Sequence, residues 1–198
     1  MGINIKRYIN SIYSSNTYLV WGDETQECLL IDCGDTDNLL ADVNEMRIKI
    51  VAILLTHAHF DHIYGVNRIL QVFPNVKVYT NTHGYDCLLS EKLNMSKYHD
   101  EPFVINDDKA IRIITEGDFF SSGMNLNVIC TPGHNPSCIS YYTDDIIFTG
   151  DSYIPDVKVV TNLPRCNKEQ AMKSLEKILE LCENRIIYPG HGDIITNI

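Results

Sequence analysis

The chain is poor in basic residues, in tryptophan and in long apolar runs. Lys and Arg number 16 against 26 Asp and Glu, for a formal net charge of −10. That deficit disfavours a nucleic-acid partner, which needs a basic stripe to displace phosphate counterions, and none is expected. No stretch approaches the ~18–20 apolar residues of a membrane span, so no membrane partner is expected. The opening Met1-Gly2-Ile3-Asn4-Ile5-Lys6-Arg7 lacks the apolar core of a secretory leader, and Lys6 stands where a myristoylation signal carries Ser or Thr. The 7 cysteines are odd in number and none are spaced Cys-x-x-Cys. A disulfide framework is thereby disfavoured, and a reducing, cytoplasmic compartment is expected. The thiols read as small hydrophobes, with Cys33 and Cys138 nearest the polar motifs. No heptad seam speaks to oligomeric state, which stays unknown.

What remains is ordinary globular material. The 198 residues are 44% hydrophobic and 21% charged, enough for one core-bearing domain over 1–198. No Pro-, Gly- or Ser-rich linker divides it. Acidic residues such as Asp35, Asp37, Asp42, Asp107, Asp108, Asp144 and Asp145 read as a solvated face.

One stretch is not ordinary. Ile50-Val51-Ala52-Ile53-Leu54-Leu55 reads as a buried strand, and Thr56-His57-Ala58-His59-Phe60-Asp61-His62 follows it at once. Ligands gather at such carboxyl ends in open α/β sheets. His57 and His59 are two apart, so an extended backbone points both one way. Imidazole and carboxylate are first-row metal ligands, zinc foremost. Three imidazoles and a carboxylate exceed what one tetrahedral ion with an open position needs, so two ions are expected.

Three later turns repeat one plan. Leu126–Cys130, Ile146–Phe148 and Ile186–Tyr188 are strand-like, and each runs into a glycine turn with a ligand-type residue: Thr131-Pro132-Gly133-His134, Thr149-Gly150-Asp151-Ser152 and Pro189-Gly190-His191-Gly192. Loops of this kind converge at one sheet edge. The other expected strands span 3–9, 15–22, 27–32, 50–55, 76–80 and segments near 111–115, 138–143 and 185–188. Expected helices span 39–47, 64–72, 82–93 and 168–183. The first shows Leu39, Leu40, Val43 and Met46 on one side, the last Ala171, Leu175, Ile178, Leu179 and Cys182.

His-x-His-x-Asp-His followed by His134, Asp151 and His191 resembles the metallo-β-lactamase-fold hydrolase superfamily. Ile31-Asp32-Cys33-Gly34-Asp35 resembles its first acidic motif, and Asn16-Thr17-Tyr18-Leu19-Val20 its opening strand. The resemblance covers almost the whole chain. It implies an α/β (α+β) fold, a four-layer αβ/βα sandwich of two mixed β-sheets with the site between sheet edges. It also implies a set of roles. His57, His59 and His134 would hold one ion, Asp61, His62 and His191 a second, and Asp151 would bridge them. Asp32 would orient the cluster from behind. Two divalent ions ~3.5–4 Å apart share a hydroxide and polarise a carbonyl. Zinc is expected, since hydrolysis needs no redox change; iron and manganese accept the same ligands. Asp61 is expected to act catalytically as well, moving a proton beside that water.

Within the superfamily the chain looks nearest to short glyoxalase II-like (hydroxyacylglutathione hydrolase-like) proteins, which implies attack on a thioester or ester of a small-molecule substrate, anionic in glyoxalase II itself. Asp151 stands where some β-lactamases place Cys. Three departures bear on the substrate. Ala58 replaces a further histidine, the last motif reads Pro-Gly-His-Gly, and the chain ends at Ile198, so a C-terminal glutathione-binding helical domain is expected to be lacking. Val160-Thr161-Asn162-Leu163-Pro164 also stands where the family often shows Arg-Thr-Asp-Leu-Pro, with Lys158 or Arg165 as candidate replacements for that cation. Tyr98 and His99, in a loop resembling one that flanks the pocket, are candidate substrate contacts; His83 matches no motif. The alternatives are a mono-iron persulfide dioxygenase, a lactonase or β-lactamase, and a catalytically inactive metal-binding protein.

Overall fold

The computed structural model describes residues 2–196. Met1, where the leader reading begins, and Asn197 and Ile198 at the far end lie outside the described residues. A first sheet contains β1 (Ile3–Ile9), β2 (Asn16–Gly22), β3 (Glu27–Ile31), β4 (Lys49–Leu54), β5 (Lys77–Thr80) and β6 (Ile111–Ile113), in that order. A second contains β7 (Gly117–Ser121), β8 (Met124–Cys130), β9 (Ile139–Tyr142), β10 (Ile146–Gly150) and β11 (Ile186–Pro189), ordered β11-β10-β9-β8-β7. Both sheets are mixed: β3–β4, β4–β5, β5–β6 and β10–β11 pair parallel, and the other neighbours antiparallel. The helices are α1 (Asp37–Met46), α2 (Val66–Val72), α3 (Thr82–Leu88) and α4 (Lys168–Cys182).

Side-chain alternation builds the layers. In a strand, successive residues face opposite sides. Leu19, Cys28, Leu30, Ile50 and Ile53 of the first sheet pack with Leu39, Val43, Val66, Ile69, Cys87 and Leu88 of α1–α3. Their neighbours Tyr18, Val20, Leu29, Ile31, Ala52 and Leu54 face the other way, onto Leu126, Val128, Tyr141 and Phe148 of the second sheet. The second sheet turns Ile147 and Ile187 outward against Ile178 and Cys182 of α4. Three apolar interfaces thus separate four layers: helices, sheet, sheet, helix. This is the expected αβ/βα sandwich.

Four details depart from the sequence reading. The third helix stops at Leu88 rather than Leu93. The chain turns at Ser90, whose carbonyl accepts from Leu93 and Asn94, and the carbonyl of Asn94 then accepts from the Phe60 amide at 2.9 Å. The buried face of α4 is Ala171, Ser174, Ile178 and Cys182, while Leu179 is exposed. Ser174 tolerates burial because its hydroxyl donates to the Pro132 carbonyl. Met46 on α1 is also exposed. β7 was not anticipated. It forms a hairpin with β8 through Ser122-Gly123, both at positive φ (52° and 73°), the backbone a tight two-residue turn requires.

Among the described residues no helix is long and apolar enough to cross a membrane. All seven cysteines are free. Asn94, which opens an Asn-x-Ser pattern, is fully buried, and its amide donates to the Phe103 carbonyl.

Candidate metal centre

β3, β4, β8, β10 and β11 run in one direction through the two sheets. Their carboxyl ends therefore collect at one edge, and each releases a polar residue there. β3 ends in Asp32, β4 leads into His57 and His59, β8 into His134, β10 into Asp151, and β11 into His191. Asp61 and His62 sit in a single 3-10 turn, Phe60–His62.

Hydrogen bonds within and between the sheets hold these loops together. The Ile139 amide donates to the Thr56 carbonyl at 2.7 Å, and Gly190 N–H to Gly150 O at 2.9 Å. Asn16 N–H reaches Gly190 O at 2.7 Å, and the Tyr18 hydroxyl reaches Pro189 O at 2.6 Å. Close approach explains the glycines. A Cβ on Gly190 would lie 2.2 Å from Asp151 Oδ1, and one on Gly133 would lie 2.2 Å from the Ala171 nitrogen.

Two triads of donor atoms result, His57/His59/His134 and Asp61/His62/His191. In the first, His59 Nδ1 is 3.0 Å from His134 Nε2. In the second, His62 Nε2 is 3.2 Å from His191 Nε2, and Asp61 Oδ2 is 3.4 and 3.3 Å from those two nitrogens. Asp151 lies between them. Its Oδ2 is 3.5 Å from His134 Nε2 and from His191 Nε2, and its Oδ1 is 3.5 Å from His62 Nε2. A third set, Asp32/His57/His62, also converges. Its carboxylate is already occupied: Asp32 accepts from Thr56 N–H (2.7 Å), Thr56 Oγ1–H (2.6 Å) and His62 Nδ1 (2.8 Å).

The site fits cations. His57 Nε2 and Asp151 Oδ1 are buried with no hydrogen-bond partner. Such atoms carry a desolvation cost of about 1–3 kcal/mol unless something binds them. A lone pair and a carboxylate oxygen facing the same space fit a positive ion.

Each histidine is anchored by its other nitrogen. Thr56 Oγ1 lies 3.2 Å from His57 Nδ1, and Asp32 Oδ2 accepts from His62 Nδ1. Asn135 Nδ2 contacts His59 Nε2 at 2.9 Å. The Val160 carbonyl accepts from His134 Nδ1 at 3.0 Å, and the Tyr13 carbonyl from His191 Nδ1 at 3.1 Å. Thr56, Asn135, Tyr13 and Val160 were not anticipated in these roles. Only Thr56 and Asn135, directly beside a histidine, left any trace in the sequence.

The electrostatics differ between the triads. Burial, reinforced by neighbouring imidazoles, pushes His57 well below the usual imidazole range and His59 down to about 3. Burial also works against a charge on His62 and His191. There the carboxylates of Asp61 and Asp151, joined at His62 by Asp32, prevail and lift them to about 9 and about 10. Burial resists ionisation of Asp151 and Asp61, yet the imidazoles around them hold both below the ordinary carboxylate range. Burial drives Asp32 upward against its three donors. Because all three bonds arrive at its oxygens, the proton of the Asp32–His62 pair resides on the imidazole.

The expected substrate contacts are split. The His99 ring packs on Phe60 at 4.9 Å and near Tyr13 at 6.4 Å, at the rim of the cluster. Tyr98 is 67% exposed. The Arg165 guanidinium donates to Cys87 Sγ at 3.3 Å. His83 is exposed on α3.

Residues 11–191 match the sequence profile of the metallo-beta-lactamase superfamily. The chain belongs to this superfamily. It is 29% identical to glyoxylase B2 of Dictyostelium discoideum, over 87% of this chain and 64% of that protein. It is 26% identical to a hydroxyacylglutathione hydrolase of Psychromonas ingrahamii, over 96% of this chain and 66% of that one. The chain thus spans under two thirds of both enzymes. Among solved structures, the BLEG-1 B3 metallo-beta-lactamase is similar at TM-score 0.88 and 29% identity, covering 96% of this chain and 93% of that one. TTHA1623 in a di-iron-bound form is similar at TM-score 0.81 and 26% identity, with the same coverage.

Proposed function

We propose that the chain is a dinuclear metallo-hydrolase acting on thioester or ester carbonyls, glyoxalase II-like in its chemistry. The observation that carries this reading is the position of Asp151, whose oxygens lie 3.5 Å from His134, His62 and His191 and so address both triads. His57, His59 and His134 would hold one divalent ion, Asp61, His62 and His191 a second, and Asp151 would serve both. Zinc or iron bound there supplies Lewis acidity and a nucleophile at neutral pH.

The chain's own groups supply the rest. Asp61 Oδ2, held below the ordinary carboxylate range by His62 and His191 despite its burial, is ionised at neutral pH, as a ligand to the second ion or an acceptor of a proton beside it must be. Asp32 holds His62 by its Nδ1 and so aims Nε2 at the cluster. Phe60, Tyr13 and His99 form an aromatic rim against which a substrate packs. The glyoxylase and hydroxyacylglutathione hydrolase relatives support a thioester substrate.

The test is S-lactoylglutathione turnover by purified protein with its metals quantified, beside a D61A/H62A double variant. Turnover abolished in the variant supports the reading. Two bound ions without turnover of any thioester or ester would sink it. The resemblance to a B3 metallo-beta-lactamase favours a second reading, β-lactam hydrolysis, which nitrocefin turnover would reveal. Asp61→Asn with full metal occupancy and full activity would remove Asp61 from the mechanism.

A further inference from the structure

Four of the five clustered histidines are pre-set for a metal by the groups behind them. His134 Nδ1 and His191 Nδ1 donate to the carbonyls of Val160 and Tyr13, and His62 Nδ1 donates to Asp32. Thr56 Oγ1 spends its proton on Asp32 Oδ2, so toward His57 Nδ1 it is an acceptor. In each ring the Nδ1 proton is held from behind, and Nε2 is the nitrogen turned toward the cluster.

His59 is the exception. Its Nδ1 faces the triad, 3.0 Å from His134 Nε2, and its Nε2 faces Asn135 Nδ2 at 2.9 Å. The orientation of that amide is fixed by its other end. Asn135 Oδ1 accepts from Ser137 N–H at 2.9 Å and from Ser137 Oγ–H at 2.7 Å, while Ser137 Oγ itself accepts from Ala58 N–H at 3.0 Å. Asn135 and Ser137 are fully enclosed, at 1% and 0% exposure, so water does not relax the arrangement. The amide nitrogen has only protons to offer. His59 Nε2 must therefore accept, and the single proton of the neutral ring sits on Nδ1, the nitrogen aimed at the triad.

We infer that Asn135 holds His59 in the tautomer that opposes metal binding, so that the His57/His59/His134 triad binds its ion more weakly than its three imidazoles allow. The inference rests on the ligand assignment proposed above. For Nδ1 to bind an ion, its proton must leave and the ring must carry one on Nε2 instead. That N–H then confronts the Asn135 N–H, donor against donor. Turning the amide brings Oδ1 to Nε2–H but takes it away from both Ser137 donors. Asn135 is thus a positioning residue with a negative sign.

Two measurements test this on the full chain. Nitrogen-15 histidine NMR of the metal-free wild type, which needs no variant, is expected to show His59 as the Nδ1–H tautomer. An Nε2–H tautomer overturns the inference. Zinc affinity of the first triad is then read by chelator competition in a His191→Ala background, where the second triad is incomplete. Asn135→Asp supplies an acceptor to Nε2–H, Asn135→Ser removes the opposing N–H and leaves room for a water there, and both are expected to raise affinity about tenfold or more, within the range of outer-shell effects. A rise with Asp alone reflects added charge and overturns the inference, as does no rise with either. His59→Ala distinguishes a failed ligand assignment from a failed role of Asn135. If it leaves zinc binding intact, the ligand assignment itself fails. If it removes an ion while the Asn135 variants change nothing, only the role of Asn135 fails.

Discussion

His62 Nδ1 lies 2.8 Å from Asp32 Oδ2, and both residues are almost completely buried. Asp32 reaches this position in a left-handed backbone conformation, φ 57°, which Asp tolerates better than most residues. Its carboxylate takes three donors and leaves His62 one orientation. The relationship links the end of β3 to the ligand turn after β4.

Replacing Asp32 by Asn keeps the backbone conformation accessible but puts an N–H where three donors expect acceptors. Zinc affinity of the second triad is expected to fall about 10–100-fold. Leaving a buried partner unsatisfied is also expected to lower the stability of the metal-free protein by about 3–5 kcal/mol. Chelator competition and urea unfolding read the two effects separately.

Metal uptake is expected to release protons unequally. His62 and His191, lifted to about 9 and about 10, are charged at pH 7 and must each lose a proton before binding an ion. His57 and His59 are neutral there, because burial holds both down. Affinity of the second triad should therefore climb as pH rises through neutrality and level off only above about 9–10, by about tenfold per unit for each proton displaced. Zinc calorimetry in two buffers of different ionisation enthalpy counts the protons. Zero release at pH 7 from a His57→Ala variant, which retains the second triad, would contradict this.

Gly190→Ala brings a Cβ to 2.2 Å from Asp151 Oδ1 and 3.0 Å from His62 Cε1. Overpacking of this kind costs about 1–3 kcal/mol, and here the group displaced is the carboxylate between the triads. Fewer than two ions per folded chain are expected, by metal analysis after gel filtration. Full occupancy would show that the 189–192 turn yields without moving Asp151.

Tyr141→Phe removes the buried hydroxyl that donates to the Leu55 carbonyl at 2.8 Å. Losing that bond and leaving a buried carbonyl exposed to no donor is expected to cost about 1–3 kcal/mol. The ligand triads should stay intact, since the bond lies on the sheet side of Thr56. Thermal unfolding and zinc content check the two halves of this expectation.

The layering was legible because alternation is local: Leu29 and Leu30, or Ile147 and Phe148, can be assigned to opposite faces from the strand period alone. The donor residues were legible because they are dense and glycine-bounded. The end of α3 was not, because Leu88 to Leu93 remains a reasonable helix by composition. What stops it is the distant demand of the Phe60 amide for the Asn94 carbonyl. Ser174 was missed on α4 because its partner, the Pro132 carbonyl, is 42 residues away.

Sequence by itself determined the chemistry on offer: five imidazoles and three carboxylates, each placed where a strand runs out, and two families of apolar side chains that face apart. Tertiary structure alone decided which nitrogen of each ring looks inward. A tautomer is set by whatever lies behind the ring, and those groups are carbonyls, a threonine and an amide brought in by other elements. Tyr13 O serves His191 from across the chain, and Asn135, held by Ser137, turns His59 the opposite way from its neighbours.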